Sequence, residues 1–151
     1  PEVYNVGCLG KIVSFNETED KRFIISLSGI IRFRIKSELK MEKLYRNFEV
    51  DYSEFLSDLK KNEDQKINFD KESLMNKIKI FFQKISYPID FNELIKLNLD
   101  QLLSTVTMIS PFSVEEKQKL IETVKIEDKI KTLDEIISFS LLDFQENKTV
   151  Q

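Results

Sequence analysis

Residues 6–52 alternate apolar and polar side chains with a period of two, and this pattern constrains the fold more than any other feature of the chain. Neighbouring side chains on a strand point to opposite faces, so the apolar set is expected to share one face and to point inward. We therefore predict a β meander from Val3 to Phe55 with this set in its core. The apolar positions are Phe23, Ile25, Leu27, Ile31, Phe33, Ile35, Phe48, Val50 and Tyr52.

Two interruptions divide the meander. The stretch Asn16–Lys21 is polar and is typical of a hairpin turn between two strands. Gly29 lies inside a strand pattern, which indicates a bulge or a tight corner. The first two strands are therefore predicted to pair as an irregular hairpin.

The periodicity changes to that of helices after the charged, aperiodic stretch KKNEDQKIN at residues 60–68. Apolar residues then recur at steps of three and four. The last apolar stripe, from Ile126 to Phe144, is expected to dock on neighbouring helices. The capping signals are Asp70, Asp90 with Glu93, and Ser113 with Glu116, and the breaks are Pro88 and Ser110-Pro111. The predicted organisation is a β-rich subdomain at 1–59, a linker at 60–69, a helical subdomain at 70–146 and a tail at 147–151.

Composition excludes several chemistries. The chain has no histidine, which removes Ser-His-Asp and Cys-His catalysis and most zinc sites from this sequence. Its single cysteine, Cys8, forms no internal disulfide and builds no cysteine zinc site. The stretch Gly7–Lys11 resembles a phosphate loop, but Asn5 and Ile12 stand where the motif needs Gly and Ser or Thr. We predict no catalytic, cofactor-binding or metal-binding residue.

Charge and hydropathy limit the partners. A net charge of −3 gives no overall attraction to nucleic acid or anionic lipid, and no apolar stretch approaches the roughly 20 residues of a membrane span. Arg32, Arg34 and Lys36 share one strand face and, with Lys11 and Arg46, are candidates for a basic strip that would contact nucleic acid or an acidic peptide. The alternative is a solvated face balanced by carboxylates of neighbouring strands.

Two further features are candidates for binding. An exposed sheet edge would accept an extended polypeptide as an added strand, through main-chain hydrogen bonds. Tyr87, before Pro88, and Phe112, after Pro111, lie at helix junctions. These aromatic side chains would either line a groove between the β part and the helices or fill the core.

The order of these features resembles the substrate-binding domain at the N-terminus of the Lon ATP-dependent protease. The likeness covers most of the chain and extends to the small stand-alone bacterial proteins of that family. In the β part it is carried by Val6-Gly7, Ile12, the acidic turn 17–20, Ile24–Leu27, Gly29, Arg32, Arg34 and Tyr45–Val50. In the helical part it is carried by Leu103, Ser110-Pro111-Phe112, Glu116–Gln118 and Leu120.

The resemblance implies an α+β fold, a PUA-like β pseudo-barrel followed by a C-terminal helical bundle. The family usually opens with a Pro- and Leu-rich strand and a Phe-Glu-x-Arg-Tyr stretch that this sequence lacks. The barrel is therefore expected to be incomplete at its N-terminus. Because the sequence begins at Pro1, close to a strand-like segment, we expect it to be a piece of a longer protein.

The resemblance also implies a function: recognition of unfolded or degron-bearing polypeptides in cytoplasmic protein quality control. The ATPase and peptidase parts of Lon are missing from the sequence, so we predict no enzymatic activity. The alternatives are an RNA-binding PUA-like module, which the acidic balance disfavours, and an adaptor for one specific partner protein. The predicted substrate-binding residues are Arg32, Arg34, Tyr45, Tyr87 and Phe112, and no cofactor is predicted.

Overall fold

The computed structural model describes residues 2–40, 42, 44–60 and 69–146, and the chain divides into two compact units, Pro1–Gln65 and Lys66–Gln151. We call them the N-terminal unit and the helical unit. The α+β class, with the sheet preceding the helices, is confirmed. Most of the predicted linker and the whole predicted tail lie outside the described residues. The elements are β1 (Val6–Glu17), β2 (Phe23–Leu39), β3 (Asn47–Asp51), a 3-10 helix (Ser53–Leu59), α1 (Lys71–Lys84), α2 (Phe91–Lys96), α3 (Leu99–Ile109), α4 (Val114–Glu122) and α5 (Ile126–Glu146).

The sheet of the N-terminal unit is antiparallel, with strand order β1-β2-β3. The predicted hairpin is confirmed, since a turn closed by the Thr18 N–H and the Arg22 carbonyl at 2.8 Å joins β1 to β2. The bulge predicted near Gly29 is also confirmed. Gly10 pairs with Gly29, whereas Leu9 pairs with Ile31, so β2 contains one extra residue at this point.

The prediction that the apolar set points inward is wrong for the outer part of the hairpin. Phe23, Ile25 and Leu27 are 57%, 48% and 65% exposed. The strands β1 and β2 extend well past the short β3, which pairs only with the end of β2 from Arg34 onward. Alternation determines which side chains share a face, but another layer must cover that face to bury it. The buried cluster of this unit is small, consisting of Val6, Ile31 and Phe55 with Tyr52 packed against it.

The helical unit has a much larger core, built by helices that begin where local signals predicted. The Asp70 carboxylate accepts the Ser73 N–H at 2.9 Å, and Ser113 with Glu116 forms the predicted capping box. A second capping box, Asn98 with Gln101, was not predicted, although the same spacing is present in the sequence. The buried residues are Leu74, Ile78, Phe81, Phe82, Leu94, Leu102, Leu103, Val106, Phe112, Leu120, Ile130, Leu133, Ile136 and Ile137.

The apolar stripe of α5 docks on its neighbours, as predicted. Ile130, Leu133 and Ile137 are buried, and α5 packs on α1, α3 and α4. At the border with α1, the Lys77 ammonium lies 2.7 Å from the Asp134 carboxylate. Two helical turns further along both helices, Lys84 Nζ donates to the Leu141 carbonyl at 3.4 Å, so the two helices run in the same direction.

Candidate functional site

The outer hairpin presents an exposed apolar face, and this is the most unusual surface of the N-terminal unit. Cross-strand pairs fix its membership, because directly paired residues point to the same side of the sheet. Ile12 pairs with Leu27, and Phe15 pairs with Ile25. Phe23 lies two residues before Ile25 on β2 and therefore points to the same side. These five side chains are between 48% and 65% exposed. We call them the apolar face.

The opposite side of the same hairpin is mostly polar. Here Lys11 pairs with Ser28, Ser14 pairs with Ser26, and Asn16 pairs with Ile24. Ile24 is the large aliphatic residue among these pairs and is 58% exposed. Both sides of the ribbon are exposed, but they differ in chemistry, so an apolar ligand would bind to only one of them.

The apolar face is uneven in height. At the hairpin tip, the rings of Phe15 and Phe23 stack with centroids 5.0 Å apart and an interplanar angle of 25°. At the other end, Gly10 and Gly29 are directly paired on the same side and carry no side chains. A Cβ added at Gly10 would be in ordinary van der Waals contact with the Leu27 side chain, whose Cβ would be nearest at 3.6 Å, so a small side chain fits above this glycine. Large rings thus stand at one end and bare backbone at the other.

The edges of the ribbon are also open among the described residues. No described strand pairs with the outer edge of β1, and β3 reaches β2 only from Arg34 onward. Just before that point, the Arg32 backbone N–H donates to Asp58 Oδ2 at 3.1 Å. A side chain of the 3-10 helix thus ends the ladder on the β3 side, and the outer hairpin is left as a two-stranded ribbon.

Arg32, a predicted binding residue, is engaged within the N-terminal unit. Its guanidinium forms two hydrogen bonds with the Asp58 carboxylate, at 2.8 and 2.9 Å, and lies 4.6 Å from the centroid of the Phe55 ring. The Arg32 side chain is only 11% exposed and that of Asp58 is 21% exposed. This contact holds the 3-10 helix against β2.

Three further members of the predicted basic strip also face carboxylates, whereas Lys11 is exposed on the side of the hairpin that bears Ser28. Arg34 pairs with Glu54 at 2.8 Å, Lys36 with Asp51 at 3.6 Å, and Arg46 with Glu38 at 2.8 Å. The Arg34 guanidinium lowers the pKa of Glu54, and the Arg46 guanidinium lowers the pKa of Glu38. Hydrogen bonds from Ser53, and then the charge of Lys36, lower the pKa of Asp51. The positive charge of the strip is therefore largely balanced locally.

The three aromatic residues predicted to bind substrate have different environments. Tyr45 is 59% exposed and precedes β3 in the N-terminal unit. In the helical unit, Tyr87 is 45% exposed with its ring 5.8 Å from that of Phe82, whereas Phe112 is 8% exposed and packs on Phe81 at 5.6 Å. Phe112 thus fills the core, and Tyr87 remains accessible.

The described residues contain neither a metal cluster nor a membrane-crossing helix. In the ranges 2–40, 42, 44–60 and 69–146, no group of three or more Cys, Asp or Glu side chains is placed to hold a metal ion. None of the helices in these ranges is long and apolar enough to cross a membrane. Cys8 is exposed and free.

Comparison with known proteins identifies the family. The family model of the ATP-dependent protease La (LON) substrate-binding domain matches residues 1–138 of the 151. The chain belongs to this family. The match lies in the substrate-binding domain of Lon and not in a catalytic domain. No curated protein matches the chain.

A solved structure supports the fold of this LON substrate-binding domain. The crystal structure of a Lon N-terminal domain protein from Xanthomonas campestris is similar to the chain with a TM-score of 0.59 and 14% sequence identity. The likeness covers 86% of this chain and 66% of that one, so the chain spans just under two thirds of that protein. At this identity the comparison concerns the fold.

Proposed function

We propose that the chain recognises unfolded or degron-bearing polypeptides without catalysis, and that its apolar face is the contact surface. The supporting observation is a cluster of five large apolar side chains, each at least 48% exposed, on one side of a two-stranded ribbon. Exposed apolar patches on folded proteins mark binding sites for other macromolecules. A family defined by substrate binding gives this surface a class of ligand, the polypeptide.

The ribbon offers two kinds of contact that an extended polypeptide satisfies together. Its open edges present backbone N–H and C=O groups, which pair with any extended chain as an added strand. Its apolar face would bury alternate side chains of that strand and so favour apolar sequences. Lipid offers no backbone partners to the edges, and a nucleic acid offers no apolar side chains to the face.

The exposed area sets the expected strength. Burying the exposed half of each of the five side chains yields about 1 kcal/mol per residue, or about 5 kcal/mol in total. Added main-chain hydrogen bonds contribute about 1 kcal/mol each, and ordering the polypeptide opposes binding. Affinity in the micromolar range follows, which suits transient capture of many sequences.

The charge arrangement favours a polypeptide over RNA. Arg32, Arg34, Lys36 and Arg46 each lie within ion-pair distance of a carboxylate, so phosphate groups would have to compete with these partners. A single dedicated partner protein would use the same apolar face. Titrations with unrelated unfolded polypeptides separate that adaptor role from general recognition.

The test is an anisotropy titration of a fluorescent, reduced and carboxymethylated protein with this chain, in the presence of excess structured RNA. We expect saturable binding that RNA does not displace. Ile25→Ser is expected to weaken it several-fold. Ile24→Ser is the matched control, because it makes the same change one residue away on the polar side, and it should bind like the wild type.

Two outcomes would overturn the proposal. One is the absence of binding at tens of micromolar, which corresponds to a free energy weaker than about −7 kcal/mol. The other is displacement by RNA with a steep dependence on salt, which would assign the surface to phosphate recognition. Equal losses in Ile25→Ser and Ile24→Ser would place the binding surface elsewhere.

A further inference from the structure

We propose that the apolar face is also an interface between two copies of this chain, packed face to face about a two-fold axis. The aromatic tip of each copy would lie over the paired glycines of the other. This self-association goes beyond the proposed function and does not depend on the binding of polypeptides (the clients of the chain). Three features of the ribbon support it: its shape, its exposed area and the absence of charge among the five side chains of the face.

Shape complementarity arises because one end of the face protrudes and the other end is a hollow. The stacked rings of Phe15 and Phe23 protrude at the tip, and the Gly10–Gly29 pair leaves bare backbone at the far end. A two-fold axis that lies in the interface, perpendicular to the strands, brings the tip of one copy to the far end of its mate. With a rise of about 3.3 Å per residue, the six steps from Phe23 to Gly29 span about 20 Å. The protrusion and the hollow therefore both lie within one interface.

The glycine pair provides room for a ring from the other copy. A Cβ at Gly10 would meet Leu27 Cβ at 3.6 Å, and none of its contacts would be closer than this. Gly29 is tighter, since an added Cβ would lie 3.3 Å from Cys8 Sγ. The hollow is thus bordered by Leu27 and Cys8, and its floor is main chain from both strands.

The area predicts a weak, reversible dimer. Phe15 and Phe23 are each 57% exposed, which leaves about 110 Å² per ring side chain. Five side chains of similar exposure supply on the order of 500 Å² per copy, or about 1,000 Å² in total, which is the lower limit for a specific interface. The weakest interfaces of about 1,600 Å² have micromolar affinity, so the dissociation constant of this smaller one should exceed about 1 µM. Such a dimer opens readily.

The face contains no charged side chain among its five members, so pairing it with itself buries no like charges. Glu17 pairs with Phe23 and so points to the side of the apolar face, but it lies at the outer end of the ribbon, where it is exposed. Lys11 belongs to the polar side and would stay in water. Desolvation therefore falls on apolar groups, which favours association.

The first measurement is sedimentation velocity of the wild-type chain from about 1 µM to about 1 mM, the window implied by the area. We expect the weight-average sedimentation coefficient to rise from that of a monomer to that of a dimer. Phe15→Ser with Phe23→Ser should keep the chain monomeric throughout. Ile24→Ser, on the polar side, should leave the curve unchanged.

Gly10→Val separates a specific interface from general apolar association. The substitution fills the hollow and adds apolar surface, and because a Cβ at Gly10 would make only ordinary contacts with Leu27, the monomer should accept it. If the aromatic tip packs over the glycines, the dissociation constant should rise about tenfold, equivalent to about 1.4 kcal/mol. If association were only hydrophobic adhesion, Gly10→Val would strengthen it.

A monomer at every concentration, or a dimer that Gly10→Val strengthens or leaves unchanged, would overturn the proposal. A dimer of the double serine variant would do the same, because it would place the interface elsewhere. Client binding is measured separately from the anisotropy of labelled polypeptide at low protein concentration. A monomeric chain that still captures clients would leave the face to polypeptides alone, so failure of this proposal is distinguishable from failure of the proposed function.

Discussion

The two units of this chain use apolar residues in opposite ways. Among the described residues, the helical unit buries fourteen apolar side chains in one cluster, whereas the N-terminal unit buries three and leaves the apolar face of its hairpin in water. Both units have regular apolar patterns in sequence, with a period of two in the first and steps of three and four in the second. The difference lies in layers: five helices cover one another, but the outer hairpin has no described layer over it.

The comparison indicates a division of labour. A unit with a large core keeps its shape without a ligand, because burial of apolar area is the main favourable term in folding. A two-stranded ribbon is only marginally stable by itself and gains from any surface that covers it. The stable part of the chain is therefore the helical unit, and the part available for binding is the hairpin.

The largest expected effect comes from truncating the same residue type in each unit. Phe82→Ala, at a side chain with 0% exposure, should lower the free energy of unfolding of the helical unit by about 3–5 kcal/mol. Phe23→Ala, at 57% exposure, should change the free energy of unfolding of the N-terminal unit by less than about 0.5 kcal/mol. Urea denaturation measures both, followed by circular dichroism at the helical band for the helical unit and by NMR signals of Ile31 and Val50 for the N-terminal unit. Similar losses in the two variants would refute the contrast between the units.

A second prediction concerns the ion pairs of the N-terminal unit. Asp58→Asn leaves the Arg32 guanidinium, which is only 11% exposed, without its charged partner. We expect a loss of about 2 kcal/mol in the local opening free energy. Glu54→Gln is the control, because the Arg34–Glu54 pair is about half exposed and solvent screens it. Hydrogen exchange of peptides from β2 should show a clearly larger effect for Asp58→Asn.

The third prediction compares two glycines of β1. A Cβ at Gly7 would lie 2.7 Å from Phe33 Cζ, so Gly7→Ala must displace a ring that also packs edge-on against Tyr52. We expect destabilisation of the N-terminal unit by about 1.5 kcal/mol. Gly10→Ala meets only ordinary contacts and should be neutral or slightly stabilising. Urea unfolding monitored by NMR signals of Ile31 and Val50 reports on this unit, and equal effects would contradict the predicted clash.

The smallest expected effect is acid sensitivity confined to the N-terminal unit. The pKa values of Glu38, Asp51 and Glu54 are lowered by folding, so their stabilisation is complete above their ordinary values of 3.8 to 4.5. It is lost as pH falls through the lowered values. The Ile31 and Val50 signals should show constant stability from neutral pH to about 5 and weakening below about 4.5. Glu54→Gln should flatten this dependence, and an unchanged slope would exclude its ion pair as a cause.

Signals that act within a few residues predicted the helical unit well. The Asp70 cap, the Ser113 capping box and the break at Ser110-Pro111 all lie where the sequence placed them, because each depends on backbone groups a few residues away. The Asn98 box was missed although its pattern is equally local. The 3-10 helix was not predicted either, and it holds Asp58, the partner of Arg32 from 26 residues away.

The apolar face contains none of the predicted binding residues, and the sequence grouped only three of its five members, as part of a core. Alternation correctly grouped Phe23, Ile25 and Leu27, since the side-chain period of a strand is a local property. It placed them in a core, whereas they are exposed. Arg32, which the sequence offered as a binding residue, is engaged with Asp58 and Phe55.

The sequence by itself determined the strands and α-helices of this protein, their order, and which side chains share a face, because turn chemistry, capping and periodicity are properties of neighbouring residues. It also carried the family likeness. Only the tertiary structure decided which faces are covered and which charges are paired. These depend on residues distant along the chain, such as Asp58 for Arg32 and the end of β3 at Asp51 for the outer hairpin.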